Sequence, residues 1–522
     1  MLTQARRRVA EMAPTFSFHP TLLRWGAIMR IHVIVATAGV MFLQAGCANS
    51  GGLRPHGKAI EPTGLAVAGS LATTQVSPAA WPEADWWTAL HDSQLDALIA
   101  EALQNNPSLA EADARARRAQ AQAQAADADR QPEVGVGGRV SEVRVPTTLP
   151  PIGKGHDRAA KYVNASFKWD LDLWGGERAA WEAALGAQRA AEVDAHAARI
   201  ELSTNVARAY VQLSYAYAQQ DVASAELARA TDVLRLTRLR LAAGVDSQVE
   251  IKQSDAEVAS AQGQKAQTDR AIDAARSALS VLLGKGPDRG LSIARPRLLP
   301  SDALPLPTDL PVELLGHRAD LVAARWRVEA EGKAIDAAKT AFLPNVDIDA
   351  LAGFIGLGGG NLLQAKSRFY AAGPAISLPI FDGGRRRANL NGEDAQYDLA
   401  VAQYNATLVR AVNEVCDDND ELGSLRIQIV AQQRAVSAAD DAWSLAEQRY
   451  KAGTGSYLEA LIVRQQLLIA QQHMATLHAE QTDYTIQIIQ ALGGGYRPAQ
   501  AAPQVSTVAA DANAPSLIHH RS

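Results

Sequence analysis

The sequence predicts a mainly α-helical protein that carries a small set of amphipathic β-strands, and three observations predict it. The first is a long helical run that starts after GlyGlyArgArgArg at 383–387 and holds to Tyr450. Along it Val401, Tyr404, Leu408, Ala411 and Val415 open an alternating three-four spacing that continues to Tyr450 and is interrupted only at Asp418 and Gln432. That spacing is a coiled-coil seam, and about 65 residues at 1.5 Å each make a rod of about 100 Å. The second is the stretch 161–174, where Val163, Ala165, Phe167, Trp169, Leu171 and Leu173 alternate strictly with polar or amphipathic residues, as in a two-faced strand. The third is a repeat: each of these features recurs once, at an offset near 210 residues.

Composition bounds the function. The chain has 522 residues, 47% of them hydrophobic but only 5% aromatic. Its apolar content is dominated by Ala, which suits closely approaching helices better than a thick globular core. A net charge of -5 and a pI near 6.2 give no general attraction to nucleic acid. The eleven histidines are scattered or lie in the tail, so no spacing gathers a metal site. GlyLeuGlyGlyGly at 356–360 lacks the Lys-Ser/Thr of a phosphate loop and falls between two strands, which predicts an external loop. No nucleophile, base or cofactor constellation appears, so an enzyme is not expected.

In chain order, residues 1–46 are a signal region. An apolar run at 31–43 follows Arg24 and Arg30 and is short for a membrane span. A start at Met29 would give a compact signal. The run ends in LeuGlnAlaGlyCys at 43–47, which resembles a lipoprotein processing site with Cys47 as the lipidated residue, although Gln44 departs from the usual aliphatic residue. AlaAsnSer after Cys47 contains no acidic residue, which in similar lipoproteins favours the outer membrane. The other cysteine, Cys416, lies inside the long helix and reads as structural. Residues 47–91 form a lipidated extended arm, with Trp86 and Trp87 packing it onto the body.

The first repeat covers 92–285: a helix from Asp92 to about Ala126, strands near 133–146 and 161–174, a long helix from Gly175 and Gly176 to about Ala243, a turn at 242–247 and a return helix. The long helix keeps a seam through Leu202, Val206, Leu213 and Leu234, broken at Gln220 and Thr237. A Pro-rich connector, 286–312, leads to the second repeat at 313–496, with strands near 344–357 and 369–381, a break at Gly383 and Gly384, and the rod, turn and return helix already described. The tail 497–522 is polar and aperiodic and is expected to be disordered.

Four strands per chain raise a problem of closure. An exported chain with strands apolar on one face points to an outer-membrane β-barrel, because only a closed barrel satisfies every strand hydrogen bond in lipid. Four strands cannot close, so copies must share one barrel: two give eight strands, and three give twelve with room for a pore. At this point a resemblance carries further. GluAlaLeuGlnAsnAsnProSerLeu at 101–109, PheLysTrpAspLeuAspLeuTrpGly at 167–175, LeuProIlePheAspGlyGlyArgArg at 378–386, GlnArgTyrLysAlaGlyThrGlySerTyrLeuGlu at 448–459 and AlaLeuGlyGlyGlyTyr at 491–496 resemble, in order, the TolC-like outer-membrane factors of tripartite efflux systems. The likeness is to their lipoprotein branch, which works with RND-type pumps. ArgAlaAsp at 318–320 departs from the family's usual ArgProAsp.

The resemblance implies a homotrimer, a twelve-stranded barrel and a long α-helical periplasmic tunnel. It also implies a periplasmic adaptor, an inner-membrane RND-type pump, outer-membrane lipid held through Cys47, and no cofactor. The implied role is a passive exit duct for drugs or other toxic small molecules. The family's narrow periplasmic aperture is often lined with aspartates after the second-repeat turn; the matching positions here hold Glu459 and Ile462, so one acidic position is kept and the other is apolar. Three copies of Glu459 with Leu458 and Ile462 are expected to form the constriction, with Glu250 in the analogous place after the first turn. A carboxylate ring with an apolar collar would favour cations and dewet; the alternative is that Leu458, Leu461 and Ile462 are seam residues and Glu459 is solvated. Gly244, Val245, Gly453 and Thr454 occupy the two helical turns, where turn chemistry alone would account for the glycines and the family docks its adaptor. The same duct could serve a type I protein-secretion exporter. A periplasm-spanning coiled-coil scaffold would account for the rods but not for the recurring strand pairs.

Overall fold

The structure is a computed structural model that describes residues 52–61, 64–65, 81–144, 157–297, 316–358 and 360–497. The signal region, Cys47, the strand-to-strand segment 145–156, most of the Pro-rich connector and the tail beyond 497 lie outside the described residues. Seven helices of ten or more residues and four strands account for most of what is described. They are α1 (Ser93–Asn105), α2 (Pro107–Asp129), β1 (Glu133–Arg144), β2 (Asp157–Asp170), α3 (Gly176–Ala242), α4 (Gln248–Leu282), α5 (Ala319–Thr340), β3 (Asn345–Leu357), β4 (Arg368–Ser377), α6 (Arg385–Lys451) and α7 (Tyr457–Ala491).

The chain divides into two compact units. One holds 130–178 and 335–394, which include all four strands, and the other holds 55–129, 179–334 and the chain from 395 onward. Both repeats contribute to both units, so the duplication read from the sequence is a division of the chain and not of the folded protein.

The helix expected from Asp92 to Ala126 is two helices. Pro107 has no N–H to donate and its ring pushes the preceding residue out of the α region, so Asn106 is extended (φ -70°, ψ 125°). Pro107 then opens α2, while Asn106 Oδ1 accepts from Ser108 N at 2.8 Å and its amide donates to Leu282 O at 2.7 Å. Asp92 caps α1, accepting from Gln94 N (2.9 Å), Leu95 N (3.2 Å) and the Tyr210 hydroxyl (2.8 Å). Leu95, Leu98 and Ile99 then bury beside Leu202, Val206, Leu279 and Ile489 in the largest apolar cluster. Trp86 is buried in that cluster too. The arm itself is held elsewhere: Asp398 accepts from the backbone of His56 and Gly57, and Asn405 accepts from Ile60 N and donates to Lys58 O, each of these two at 2.8 Å.

The long helices follow their predicted spans. Three of the four polar interruptions in their seams have local partners: Gln220 donates to Asp269 (2.6 Å), Thr237 bonds Val233 O and Tyr450, and Gln432 donates to Ala470 O (2.9 Å). Asp418 has no hydrogen-bond partner among the described residues. Burial, with Glu414 and Asp417 nearby, pushes its carboxyl up to about 6, against an Arg208 already engaged by Asp483. Beyond α7, Gly493, Gly494 and Gly495 all take positive φ, and a Cβ on Gly493 would lie 1.9 Å from His317 O, which explains the glycine triplet.

The sheet has order β1-β2-β3-β4, antiparallel throughout. Its strands begin or end a few residues from their expected limits. The strand expected at 161–174 is shifted to Asp157–Asp170, and the one expected at 369–381 stops at Ser377. Leu171 and Leu173 continue the alternation in sequence, but Asp172 adopts φ 42° and turns the chain out of the sheet.

Candidate functional site

The register of the sheet sorts its side chains. Val163 lies opposite Gly138 and Phe354, Ala165 opposite Val136 and Ala352, and Trp169 opposite Ile348, which faces Pro374 on β4. One face therefore collects Val134, Val136, Val163, Phe167, Tyr370 and Ile376, and the other collects Glu133, Arg139, Asn164, Lys168, Asp347 and Asp349. The apolar face is open to the surroundings in one protomer, with Val136 82% exposed. A free sheet face of that composition in water would cost the protein its solubility; in lipid it is the stable arrangement. Thirteen residues of β3 extend about 43 Å, and a tilt of about 40° leaves about 33 Å, enough for a hydrocarbon core of about 30 Å. β1 and β4 are edge strands, each with one row of unpaired backbone groups.

The polar face is packed closely where the strands coil. A Cβ on Gly353 would lie 2.1 Å from Val163 O, so β2 and β3 approach there only because the residue is glycine. Tyr162 and Phe369 stack on this face at 5.6 Å. Two tryptophans tie the ends of strands together: Trp169 Nε1 donates to Arg130 O, just before β1, and Trp174 Nε1 donates to Pro344 O, just before β3.

Sequence reasoning placed the strand-to-helix breaks at Gly175, Gly176, Gly383 and Gly384. Gly175, Gly383 and Gly384 have positive φ, and a Cβ on Gly176 would collide with Thr340 Oγ1. What launches each helix, however, is an aspartate that the glycine signal masked. Asp172 accepts from Glu177 N (3.0 Å) and Arg178 N (2.9 Å), and Asp382 accepts from Gly384 N (3.0 Å) and Arg386 N (3.1 Å). At Asp382 partial desolvation works upward, but these N–H groups and the Arg386 guanidinium hold the carboxyl below its usual range.

At the opposite ends of the long helices, the turns hold Gly244 (φ 78°) and Gly453 (φ 77°), each followed by an exposed residue, Val245 and Thr454. Ser247 and Ser456 cap the returning helices, and three residues later stand Glu250 and Glu459. These two glutamates occupy equivalent positions and do different work. Glu250 reaches back to Ser247 N at 2.8 Å and to its hydroxyl, completing a capping box that lowers its pKa. Glu459 instead takes Arg449 Nη1 at 2.8 Å. Leu458 and Ile462 are 58% and 56% exposed, whereas Leu461 packs beside Trp443, Tyr450 and Tyr457.

A network that sequence reasoning missed joins the two turns. Arg240 Nε donates to both oxygens of Asp246 (3.1 and 3.0 Å) and its Nη1 to Tyr450 O (2.9 Å), while its guanidinium lies 4.5 Å from the Tyr450 ring centre. The Tyr450 hydroxyl donates to Asp246 at 3.1 Å and sits 3.1 Å from Thr237 Oγ1. The available signal was Thr237, the second of two polar breaks in the seam and the one near the helix end.

Comparison with known proteins places this geometry. The profile of the outer membrane efflux protein family matches residues 98–285 and 310–494. The fusaric acid resistance protein FusA of Burkholderia cepacia is 38% identical over 368 residues, 69% of each chain. The multidrug resistance outer membrane protein MdtP of Escherichia coli K12 is 31% identical over 466 residues, covering 86% of this chain and 93% of its own. Among solved structures, the outer membrane protein VceC of Vibrio cholerae superposes with a TM-score of 0.75 at 36% identity, over 80% of this chain and all of its own. The outer-membrane channel OprN gives 0.75 at 26% identity over 86% and 98%.

Proposed function

Because the chain belongs to the outer membrane efflux protein family, we propose that three copies close a twelve-stranded barrel and form a passive exit duct, which takes small toxic molecules from a periplasmic adaptor and an inner-membrane RND-type pump. The observation that carries this reading is the four-stranded sheet with one apolar face and two free edges: β1 points opposite to β4, so the edges of neighbouring copies can pair antiparallel and leave no edge. Fusaric acid resistance in the name of one relative and multidrug resistance in that of another support toxic small molecules as cargo. Cys47 would anchor the chain to the outer membrane and the helices would project into the periplasm.

Leu458, Glu459 and Ile462 line the resting aperture in this reading. Leu458 and Ile462 are exposed in one protomer while neighbouring Leu461 is packed, which leaves both free to face the duct and supports the reading. Arg449 tempers the acidic ring by pairing with Glu459. Glu250, at the analogous place after the first turn, is committed to the Ser247 cap while it faces the same end of the duct, and Gly244, Val245, Gly453 and Thr454 present the docking turns to the adaptor.

Planar-bilayer conductance tests the proposal. Purified protein should insert as a channel of low resting conductance, and Glu459→Ala with Ile462→Ala should raise that conductance severalfold. Insertion with unchanged conductance would remove the aperture assignment, and failure of the native protein to insert would remove the duct.

A further inference from the structure

The run Arg385-Arg386-Arg387 divides into one structural and two unassigned arginines. Arg386 Nε donates to Asp382 at 2.9 Å, its Nη1 donates to Ala341 O at 3.3 Å, and its guanidinium lies 5.7 Å from the Phe342 ring centre. Arg385 and Arg387 are exposed, and neither side chain has a hydrogen bond or ion pair among the described residues.

Helix chemistry does not ask for them. The first turn of a helix favours acidic residues and disfavours basic ones, because its free N–H groups carry partial positive charge. The equivalent break in the first repeat obeys that rule, with Glu177 in the first turn of α3, while α6 has no acidic residue there. Both breaks are already capped by an aspartate. Two cations at this place are a local cost to the helix that no contact within the described residues offsets.

The surroundings name the partner. Immediately before the break, Ile380 is 79% and Phe381 90% exposed, next in the chain after the strand whose Tyr370, Pro374 and Ile376 belong to the apolar face. Large apolar side chains followed within a few residues by unpaired arginines, at the helical end of a lipid-facing sheet, match the passage from acyl chains to headgroups. Arginine binds phosphate through a planar fork and is the cation suited to that level.

We propose that Arg385 and Arg387, with Ile380 and Phe381, form a binding surface for anionic phospholipid of the periplasm-facing leaflet of the outer membrane: each guanidinium, on its own side of the first turn of α6, takes a headgroup phosphate, and the apolar pair meets the upper acyl chains. The inference rests on the barrel reading above. A symmetric trimer carries three such surfaces, and each selects phosphatidylglycerol over zwitterionic phospholipid.

The test is native mass spectrometry of the full-length protein, released from detergent after titration with phosphatidylglycerol or with phosphatidylethanolamine of the same acyl chains. Wild-type trimers should retain phosphatidylglycerol at least severalfold more often. Arg385→Gln with Arg387→Gln should abolish that preference while the trimer persists, whereas Arg426→Gln with Arg434→Gln, which removes equal charge from the middle of α6, should leave it intact. Inorganic phosphate at the lipid's concentration should not displace the bound lipid. Trimers that retain both lipids equally, an unchanged preference in the Arg385/Arg387 variant, an equal loss in the Arg426/Arg434 variant, or displacement by inorganic phosphate would each overturn the inference. A protein that remains soluble without detergent would instead overturn the barrel reading.

Discussion

Asp418 shows how a single residue can oppose the helix that contains it. It interrupts the seam of α6, and Arg208, the cation that faces it from α3, is spent on Asp483 of α7. Desolvation first, then Glu414 and Asp417 of its own helix, raises its pKa to about 6, well above the ordinary carboxylate range. A carboxyl raised in the folded state binds its proton more tightly there than in the unfolded chain. Its contribution is therefore fully present below about pH 4 and is lost as pH rises through about 6. Asp418→Asn should raise the melting temperature at about pH 7.5, by an amount corresponding to about 1 kcal/mol per protomer once solvent screening is allowed for. The gain should vanish near pH 4, and calorimetry at the two pH values measures it. Arg449 makes a second residue-scale case. Its pair with Glu459 is half exposed and worth little in stability, yet in the proposed aperture permeating ions would sense each charge. Arg449→Gln should leave the melting temperature within about 1 °C while raising cation over anion selectivity, read as a shift in reversal potential under a salt gradient.

At the scale of elements, the two helical hairpins are copies that have diverged in their electrostatics. Repeat one closes its turn by Arg240 on Asp246, and repeat two has Gly455 in the place of Asp246, leaving Arg449 for Glu459. Tyr450 then reaches across to Asp246, so one hydroxyl and one guanidinium tie the two turns together, beyond which Arg464 pairs with Glu226. Tyr450→Phe removes only that hydroxyl, and its loss should cost about 1 kcal/mol of local stability, since Asp246 keeps Arg240. Faster amide exchange over 444–456, with unchanged exchange in α1 and α2, would show it. The hairpins, the strands and the breaks between them were legible in the sequence because each depends on local period and on glycine. The Asn106-Pro107 interruption was equally local but was hidden by an apolar pattern that continues across it. The Arg240–Asp246–Tyr450 network joins residues more than 200 positions apart, and no period within either hairpin encodes it. Arg386 and its two neighbours looked alike for the same reason: only the fold shows that Asp382 and Phe342 claim one of them.

The whole molecule is governed by the two open strand edges. Within one protomer β2 and β3 are paired on both sides, while β1 and β4 each carry a free ladder beside a face of valine, phenylalanine and tyrosine. An unpaired edge in lipid costs several kcal/mol for each unsatisfied backbone group, a penalty no side-chain packing on a four-stranded sheet can offset. In the proposed barrel association is thus a condition of membrane insertion, and the pairing is β4 of one copy on β1 of the next. Cysteine scanning tests this at the level of register. In a Cys416→Ser background, a cysteine fixed at Ala372 and a second moved residue by residue from Val134 to Val143 should give intermolecular crosslinks. Because strand side chains alternate, crosslinks should form only with the positions that share the face of Ala372, namely Val134, Val136, Gly138, Val140 and Glu142, and should peak at one or two of them. Bands at two and three times the chain mass, and none beyond, would fix closure at twelve strands. Crosslinking without alternation would mean the edges collide but do not pair, and a ladder that continues past three would mean that the ring does not close.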